Sequence, residues 1–300
     1  DSESGDVGWT TPSEVQSYQY TGEMVTVSNR RVDLKVTPNH RMLIGTSWAH
    51  GGHDTFEGRR NVVEAKELGD EYQHPCLFIS LPDWDGEVRE TFELPACDRE
   101  VNHSKVIRLE AKEIDMGSWL EFFGWWLTEG SVGKLGQTNN IRIYQTGATA
   151  LTHLFENLGF DSEKIRHHSD HMQEYVEISD HQLATYLRQF KNDKHIPEWM
   201  RNLSRDNLEI LFEAVIDGDG NRDGRNWTYY TSDEKLADDV QEIALKLGYG
   251  ATLHSLDRSD GNNYQPKREY RVNISPSWCV QTNREGTASD TEQYEATGSC

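Results

Sequence analysis

The chain lacks the features that would place it in a membrane or in an oxidising compartment. No apolar run approaches the length of a membrane span, and no signal peptide is visible at the start. Only 4 cysteines occur among 300 residues, with no closely spaced pair, which argues against a disulfide scaffold or a zinc ribbon. These absences predict a cytoplasmic protein without a membrane partner.

Positive charge is also scarce, since 30 lysines and arginines face 51 acidic residues for a formal net charge of −21. A DNA-binding protein should be basic somewhere, because phosphate contacts supply much of its affinity. The charge therefore fits either a protein that does not bind DNA or a salt-in halophile, in which every surface is acidic. Arginine outnumbers lysine 19 to 11, and the acids are spread from end to end. Both facts favour the halophile, and hence a haloarchaeal or haloviral origin. At molar salt the Debye length is about 3 Å, so distant charges hardly repel DNA.

Two stretches of the chain, residues 122–130 and 211–220, repeat one pattern. Each is an apolar, helix-like run with a small residue in its middle, Gly124 in the first and Ala214 in the second. Without a bulky side chain at that point, two helix axes can approach closely. The repeat therefore predicts two helices packed backbone to backbone.

Each run ends in an acidic residue followed by glycine, Glu129-Gly130 and Asp219-Gly220. Helices packed in this way bring their C-terminal carboxylates side by side, as a divalent metal site requires. Glu129 and Asp219 are therefore the candidate metal ligands, with Mg²⁺ as the expected ion and Mn²⁺ as the alternative. The opposing interpretation is that both are helix-end acids on a solvated face. Asp217 is a weaker candidate ligand.

The repeated pattern resembles the LAGLIDADG homing endonucleases in their two-motif, single-chain form. Gly124 and Ala214 fall on the small third position of the motif, and Glu129 and Asp219 fall on its catalytic eighth. The resemblance implies a monomer that cleaves double-stranded DNA at a long, asymmetric or pseudo-palindromic site and leaves short 3′ overhangs. In such a site, two metal-bridging carboxylates make a water nucleophilic and stabilise the leaving oxyanion.

The elements that follow each motif are also repeated. The first copy is predicted to contain a helix at 119–128, a strand at 140–145, a helix at 148–158, strands at 163–168 and 174–178, and a helix at 180–190 capped by Asp180. The second copy is predicted to contain a helix at 205–216, a strand at 227–231, a helix at 233–247, and strands at 251–256 and 270–274. The predicted fold class is α+β, with two pseudo-symmetric αββαββα repeats that form a DNA-binding saddle.

The two ends of the chain resemble the halves of an intein splicing domain, a Hint-like all-β fold, with the nuclease inserted between them. Thr37 and His40 match the intein motif that activates the upstream scissile peptide, and residues 278–282 resemble the strand before the C-terminal splice junction. The predicted domains are therefore 1–117, 118–274 (repeats at about 118–192 and 204–274) and 275–300.

The ends depart from the intein pattern at the splice junctions. The chain begins Asp1-Ser2 where a Cys or Ser nucleophile is expected, and it ends Ser299-Cys300 where His-Asn should precede the final nucleophile. Without that Asn, the cyclisation that releases the C-terminal partner cannot run. We therefore expect a splicing-incompetent element, or one piece of a split intein whose partner is a separate N-terminal fragment.

Two lysines are candidate catalytic residues beside the acidic pair. Lys194 lies in a Lys-His-Ile-Pro stretch that resembles a block found before the second motif of intein endonucleases. The resemblance implies that Lys194 polarises the attacking water or the scissile phosphate. Lys267, just before the last predicted strand, is the candidate partner from the second repeat. The alternative for each is an exposed loop lysine.

The candidate DNA contacts lie on or near the strands that follow each motif, because a two-stranded ribbon fits the major groove and its alternate side chains reach base edges. In the first copy they are Lys134, Gln137, Asn139, Arg142, Tyr144, Arg166 and His168. In the second copy they are Arg222, Arg225, Asn226, Tyr229, Arg258, Lys267, Arg268 and Arg271. Their local excess of arginine, inside an acidic chain, indicates a DNA face.

The sequence thus favours a homing endonuclease embedded in an intein-like domain. Two alternatives stay open. The chain could be a protein-splicing element with a secondary or decayed nuclease, or a LAGLIDADG module that binds DNA or RNA without cutting it. Loss of either motif carboxylate would favour the binding module, and both are present.

Overall fold

The computed structural model describes residues 13–16, 20–28, 33–45, 60–68, 76–78, 84–101, 105–134, 136, 138–169, 173–257, 268–276, 279–281 and 287–290. The first strands are β1 Met24–Ser28, β2 Asp33–Val36, β3 Arg41–Gly45, β4 Arg60–Glu64, β5 Cys76–Phe78, β6 Thr91–Leu94, β7 Cys97–Val101, β8 Lys105–Leu109 and β9 Lys112–Asp115. The next elements are α1 Met116–Glu129, β10 Gly130–Val132, β11 Asn140–Tyr144, α2 Thr152–Asn157, β12 Arg166–Ser169, β13 Glu174–Ser179, α3 His181–Leu187 and α4 Glu198–Arg201. The last elements are α5 Arg205–Asp219, β14 Gly220–Asp223, β15 Asn226–Thr231, α6 Glu234–Lys246, β16 Gly250–Asp257, β17 Arg268–Ser275, β18 Cys279–Gln281 and β19 Thr287–Asp290.

The chain divides into two compact units. One comprises residues 1–85, 248–250 and 275–300, and the other comprises 86–247 and 251–274. No helix in the described part of the chain is both long and apolar enough to cross a membrane.

The first unit is built from strands in its described part. One sheet has the order β19-β1-β2 and the other has the order β18-β5-β3-β4. In both sheets a strand from the C-terminal end of the chain pairs antiparallel with one from the N-terminal part, β19 with β1 and β18 with β5. A small apolar core, which includes Val27, Met42, Ile44 and Val63, lies among β1 to β4.

The second unit contains the predicted repeat. The first copy forms a sheet of order β10-β11-β13-β12 and the second a sheet of order β14-β15-β17-β16. The two sheets have the same connectivity, and in each copy the long first helix runs directly into the edge strand. Apolar side chains alternate along the strands, so that Ile141 and Ile143 of β11 and Val272 and Ile274 of β17 are almost fully buried.

The long helices α1 and α5 pack against each other at their small residues. A Cβ on Gly124 would lie 2.7 Å from the Ala214 Cβ and 3.1 Å from the Leu211 carbonyl oxygen, so only hydrogen fits there. Each helix begins at a side-chain cap, where Asp115 accepts from the Ser118 amide and Ser204 accepts from the Asn207 amide. The prediction of two helices packed backbone to backbone is confirmed.

The predicted elements differ from the observed ones mainly at their ends. The helix predicted at 148–158 is a 3₁₀ turn, Ala148–Leu151, followed by α2. The strand predicted from 163 begins with another 3₁₀ turn, Ser162–Lys164. The edge strands β10 and β14 were not predicted, because they are short and begin at the glycines that close α1 and α5. The predicted cap Asp180 is confirmed, since its carboxylate accepts from the Leu183 amide at 2.8 Å.

A long, interrupted hairpin precedes α1 and belongs to the second unit. Its base pairs β6 with β9, and its outer part pairs β7 with β8. The Phe92 ring stacks on Trp119 of α1 at 4.0 Å between centroids. The Gln182 amide donates to the carbonyls of Leu94, Pro95 and Glu110, where the ladder is interrupted. The division between the units therefore falls at residue 85, whereas the sequence predicts a boundary at 117.

Candidate metal centre and nucleic-acid interface

Glu129 and Asp219 are the last residues of α1 and α5. The glycine after each acid lets the chain leave the helix at once. A Cβ on Gly130 would lie 2.3 Å from the Trp126 carbonyl oxygen, and one on Gly220 would lie 2.4 Å from that of Ile216. The backbone N–H of each glycine instead caps that same carbonyl. The motif glycines thus end both helices directly after the acid.

The close approach of α1 and α5 continues to the turn that carries the acids. One turn beyond Gly124 and Ala214, Thr128 packs against Gly218, where a Cβ would lie 2.1 Å from the threonine Oγ1. The Thr128 hydroxyl bonds back to the carbonyls of Gly124 and Trp125, so it does not separate the helices. Glu129 and Asp219 each follow this contact by one residue, which brings the carboxylates together.

Burial raises the pKa of both carboxyl groups. Loss of hydration is the main cause for Glu129, the negative charge of Asp219 adds to it, and Lys194 opposes both. Burial likewise raises the pKa of Asp219, again against Lys194. In the described part of the chain, neither carboxylate accepts a hydrogen bond from a side chain. The pair therefore holds negative charge that is only partly compensated.

These residues fit a hard divalent cation. Two half-buried carboxylates with free oxygens would be neutralised by Mg²⁺, which takes few carboxylates and keeps several waters. Within the described ranges, no group of three or more His, Cys, Asp or Glu side chains converges as a metal site. Glu129 and Asp219 would accordingly be the ligands that the protein supplies, and water or phosphate oxygens would complete the coordination.

Lys194 lies at the C-terminal end of α1, beside the acidic pair. Its ammonium donates to the carbonyls of Leu127 at 2.7 Å, Gly130 at 3.0 Å and Trp126 at 3.3 Å. Burial lowers the pKa of Lys194, while the charges of Asp219 and Glu129 raise it. An ammonium has three donors, and three carbonyls accept from this one, so Lys194 acts on the acids mainly through its charge. The other predicted lysine, Lys267, lies outside the described residues.

The segment that carries Lys194 is held by the second repeat. The Ile196 amide donates to the buried Asp239 carboxylate of α6 at 2.7 Å. Arg201 lies 3.2 Å from the same carboxylate and also pairs with Glu242. Lys246 is fully buried and donates to the Arg201 carbonyl and to Glu242, which makes it a structural residue. An ionic network on α6 thus fixes the loop that ends beside the acids.

Five of the predicted DNA-contact residues of the first copy lie on the outer face of its sheet or just beyond a strand end. On the face away from α1, the register aligns Arg142, Glu177 and Arg166 in one row and Tyr144, Tyr175 and His168 in the next. His168 stacks on Tyr175 at 4.6 Å. Lys134 is exposed just beyond β10. Sequence reasoning missed Asn140, Tyr175 and Glu177, although the alternation of β11 and β13 would have placed them on this face.

The outer face of the second sheet carries fewer basic side chains than that of the first sheet. Arg271 lies opposite Tyr230 and over its ring, and its Nε donates to Glu269 at 2.6 Å. Thr228 and Asn273 pair in the adjacent row, where the Thr228 hydroxyl donates to the Asn273 Oδ1 at 3.3 Å. Three further predicted contacts, Arg225, Asn226 and Arg268, are exposed near strand ends. Thr228, Tyr230 and Asn273 are the face residues that the sequence reading missed.

One predicted DNA contact is wrong, because the Tyr229 side chain is buried on the helix side of its sheet. Arg222 and Asn139 are bound to protein groups on that side and stay predictions. Tyr229 is fully buried beneath α5 and α6. Arg222 pairs with Glu213 and Asp217 of α5 and lies over the Trp227 ring. Asn139 accepts from Arg188, which follows α3, at 2.7 Å. Side chains alternate along a strand, and each of these three residues stands at a position that faces the helices. Composition alone does not reveal which positions these are.

Some predicted site residues lie elsewhere. Gln137, Arg258, Lys267 and Cys300 are outside the described residues. Thr37 and His40 form the turn between β2 and β3, in which the His40 amide donates to the Thr37 carbonyl at 2.9 Å. The His40 side chain is exposed, so it is not a core histidine.

A family model described as a LAGLIDADG-like domain matches residues 209–282, which include most of α5 and strands β14 to β18. Residues 209–282 are therefore similar to a LAGLIDADG-like domain, in agreement with the second sequence motif. The solved structures that resemble the chain include mesophilic variants of the homing endonuclease I-DmoI, with TM-score 0.41 and 16% identity over 53% of this chain and 89% of that one. The homing endonuclease I-WcaI bound to its DNA recognition sequence matches with TM-score 0.32 and 10% identity over 54% of this chain and 77% of that one.

Two curated relatives match nearly the whole chain. An ATP-dependent Clp protease proteolytic subunit of Chlamydomonas moewusii is 28% identical over 306 residues, 95% of this chain and 28% of the relative. A DNA-directed RNA polymerase subunit beta C-terminal section of Stigeoclonium helveticum is 24% identical over 314 residues, 88% of this chain and 26% of the relative. The chain thus spans about a quarter of the length of these relatives.

Proposed function

We propose that this chain is a site-specific, Mg²⁺-dependent endonuclease that cuts double-stranded DNA. The observation that carries the proposal is the pair of half-buried carboxylates, Glu129 and Asp219, at the ends of two helices that touch backbone to backbone. The LAGLIDADG-like domain that includes Asp219 supports it. Mn²⁺ would serve as an alternative ion.

Each residue of the pair has a defined part in phosphodiester hydrolysis. A bound Mg²⁺ supplies Lewis-acid polarisation of the phosphate and a water of lowered pKa. Glu129 and Asp219 would hold the ion, one carboxylate from each repeat. The charge of Lys194 lowers the pKa of both carboxyl groups against the effect of burial, and it would add positive charge near a bound phosphate. The attacking water would lose a proton to solvent as its oxygen bonds to phosphorus. The bond from phosphorus to the leaving sugar oxygen would break on the opposite side, and that oxygen would take a proton from solvent.

The outer faces of the two sheets are the surfaces that would contact DNA. Each presents alternate side chains from three strands, which suits a ribbon in the major groove. Arg142, Arg166 and Arg271 supply cationic donors on these faces. In an acidic halophilic chain, as we infer this one to be, counterion release contributes little to the affinity for DNA, so base contacts and shape must contribute more.

Two observations favour protein splicing as a second function, in which the nuclease belongs to an inserted, intein-like element. Strands from the C-terminal end of the chain pair with β1 and β5 within the first unit. Nearly the whole chain aligns with about a quarter of the length of each of two relatives, and the names of these relatives describe unrelated activities. An element inserted into different host proteins would give this pattern. Placing the chain between two reporter segments, with and without a supplied N-terminal fragment, tests this function. A ligated reporter would support splicing, and its absence in both arms would remove this function.

The endonuclease proposal is tested by selecting its target from duplex DNA. The purified chain is incubated in molar KCl and Mg²⁺ with a library of duplexes, and the ends it creates are sequenced. Discrete cuts on both strands with short 3′ overhangs support the proposal. Specific binding without any cut would instead favour the non-cleaving binding module.

A further inference from the structure

One arginine on the outer face of the first sheet is held in a fixed orientation. The Arg142 Nε donates to the Glu177 carboxylate at 2.5 Å, and the guanidinium lies over the Tyr175 ring, 5.0 Å from its centroid. The Arg142 Nη1 lies 3.5 Å from the Tyr144 hydroxyl. Three neighbours on two strands thus fix the plane of the guanidinium and the side from which Nε is bound.

Glu177 is the centre of this arrangement. Its carboxylate also accepts from the Asn140 amide at 2.9 Å and lies 3.8 Å from Arg166. The Glu177 side chain is only 7% exposed, whereas that of Arg142 is 36% exposed. A carboxylate on a DNA-binding face would repel phosphates, so we expect it to have another role there. Here it is covered by the arginine that it orients.

The geometry leaves one edge of the guanidinium available. With Nε engaged by Glu177 and Nη1 by the Tyr144 hydroxyl, Nη2 has no partner among the described residues, and it can donate together with the second N–H of Nη1. Two donors of this kind match the O6 and N7 acceptors of guanine in the major groove. A fork that is already oriented also loses less side-chain entropy on binding than a free one.

The second sheet has no such arrangement at the equivalent place. The register that pairs Gly130 with Ile143 pairs Gly220 with Tyr229, so Thr228 is the counterpart of Arg142. Its neighbour across the sheet is Asn273, where the first copy has Glu177. The two repeats therefore present an oriented cation and a neutral Thr–Asn pair at matching positions.

We infer that Arg142, oriented by Glu177 and Tyr175, reads a guanine in the half of the target bound by the first repeat, and that the matching position of the other half does not require guanine. The inference rests on the proposed function for its DNA partner. It deepens that function by making the target asymmetric at one defined base pair. Arg142 is the specificity-determining residue, and Glu177 is a positioning residue.

The test uses binding rather than cleavage. The full chain carrying Asp219→Asn is used to select duplexes from randomised DNA in Mg²⁺ and molar KCl, alone and combined with Arg142→Ala, Arg142→Lys or Glu177→Gln. Thr228→Ala is the matched control on the second sheet. We expect one position at which guanine is favoured roughly 5- to 150-fold. That preference should vanish with Arg142→Ala, fall with Arg142→Lys and Glu177→Gln, and persist with Thr228→Ala.

The contrary results are equally defined. If Arg142→Ala weakens binding equally for all sequences, the arginine contacts a phosphate and the inference is wrong. A guanine preference at both symmetric positions would overturn the asymmetry. If the selected DNA is bound specifically but the parent chain never cuts it, the endonuclease proposal fails while the guanine reading stands. If no sequence is enriched, both fail.

Discussion

At the scale of residues, the main feature is the acidic pair, Glu129 and Asp219, whose burial is unfavourable without a cation. Two carboxylates are held close together and half-buried, and the pKa of each is raised by burial. Such an arrangement is unfavourable in the folded protein unless a cation joins it. A metal-binding role accounts for a feature that stability alone would select against.

The raised pKa values predict how stability depends on pH without metal. A carboxyl group whose folded pKa exceeds its unfolded pKa costs stability once pH rises above the unfolded value. We therefore expect Asp219→Asn and Glu129→Gln to raise the free energy of unfolding at neutral pH in chelator. The gain should disappear as pH falls below the ordinary pKa of these acids. Urea unfolding across pH measures it, and a variant less stable than the parent at neutral pH would contradict the account.

Lys194 provides a second prediction at this scale. Its positive charge opposes the rise in the pKa of both carboxyl groups, so Lys194→Met should move the acidic limb of the cleavage pH profile to higher pH. Lys191→Met is the matched control, since Lys191 donates to the Val132 carbonyl at 2.9 Å and neither acid responds to it. Equal pH profiles for the two variants would mean that Lys194 only caps α1.

At the scale of elements, the contact between α1 and α5 decides whether the carboxylates meet. The methyl group of Gly124→Ala would lie 2.7 Å from the Ala214 Cβ, and overpacking of this kind typically costs about 1–3 kcal/mol. Gly117→Ala, in the same helix, meets nothing closer than 3.3 Å and should be neutral or stabilising by up to about 1 kcal/mol. Thermal unfolding measures both effects.

A compensating change makes the test specific to this contact. Ala214→Gly removes the methyl group that Gly124→Ala would strike, so the double variant should recover much of the lost stability and cleavage. If Gly124→Ala costs no more than Gly117→Ala, the helices are not held at this contact. If the double variant is no better than Gly124→Ala, the loss arises from another contact.

The elements that could be predicted from sequence are those with strong local signals. The two apolar runs, their small residues and their closing acids determine α1 and α5, and Asp180 marks the start of α3 through ordinary capping. The edge strands β10 and β14 have no such signal. The contact residues could be predicted only as a set, because the parity of a strand decides whether Arg142 faces outward or Tyr229 inward. That parity depends on the register in which β11 and β15 pair with the edge strands β10 and β14.

At the scale of the whole molecule, the net charge of −21 should make stability depend on salt. Like charges repel in the compact state, and molar KCl screens them beyond about 3 Å. We expect the thermal midpoint to rise steadily with KCl, and specific DNA binding to survive in molar KCl. A midpoint independent of KCl, with binding lost as salt rises, would contradict the halophilic interpretation.

The pairing of β19 with β1 and of β18 with β5 is the other large-scale feature, and it follows from no local pattern.

The measurement that tests the central claim most directly is single-turnover cleavage of the selected target by three proteins in Mg²⁺: the parent, Asp219→Asn and Asp217→Asn. Asp217 is the matched control, since it is an exposed acid two residues away that pairs with Arg222. The account predicts that Asp219→Asn abolishes cleavage but keeps specific binding, while Asp217→Asn cuts at close to the parental rate. Cleavage that survives Asp219→Asn, or that is lost equally in both variants, would contradict the assignment of the metal centre.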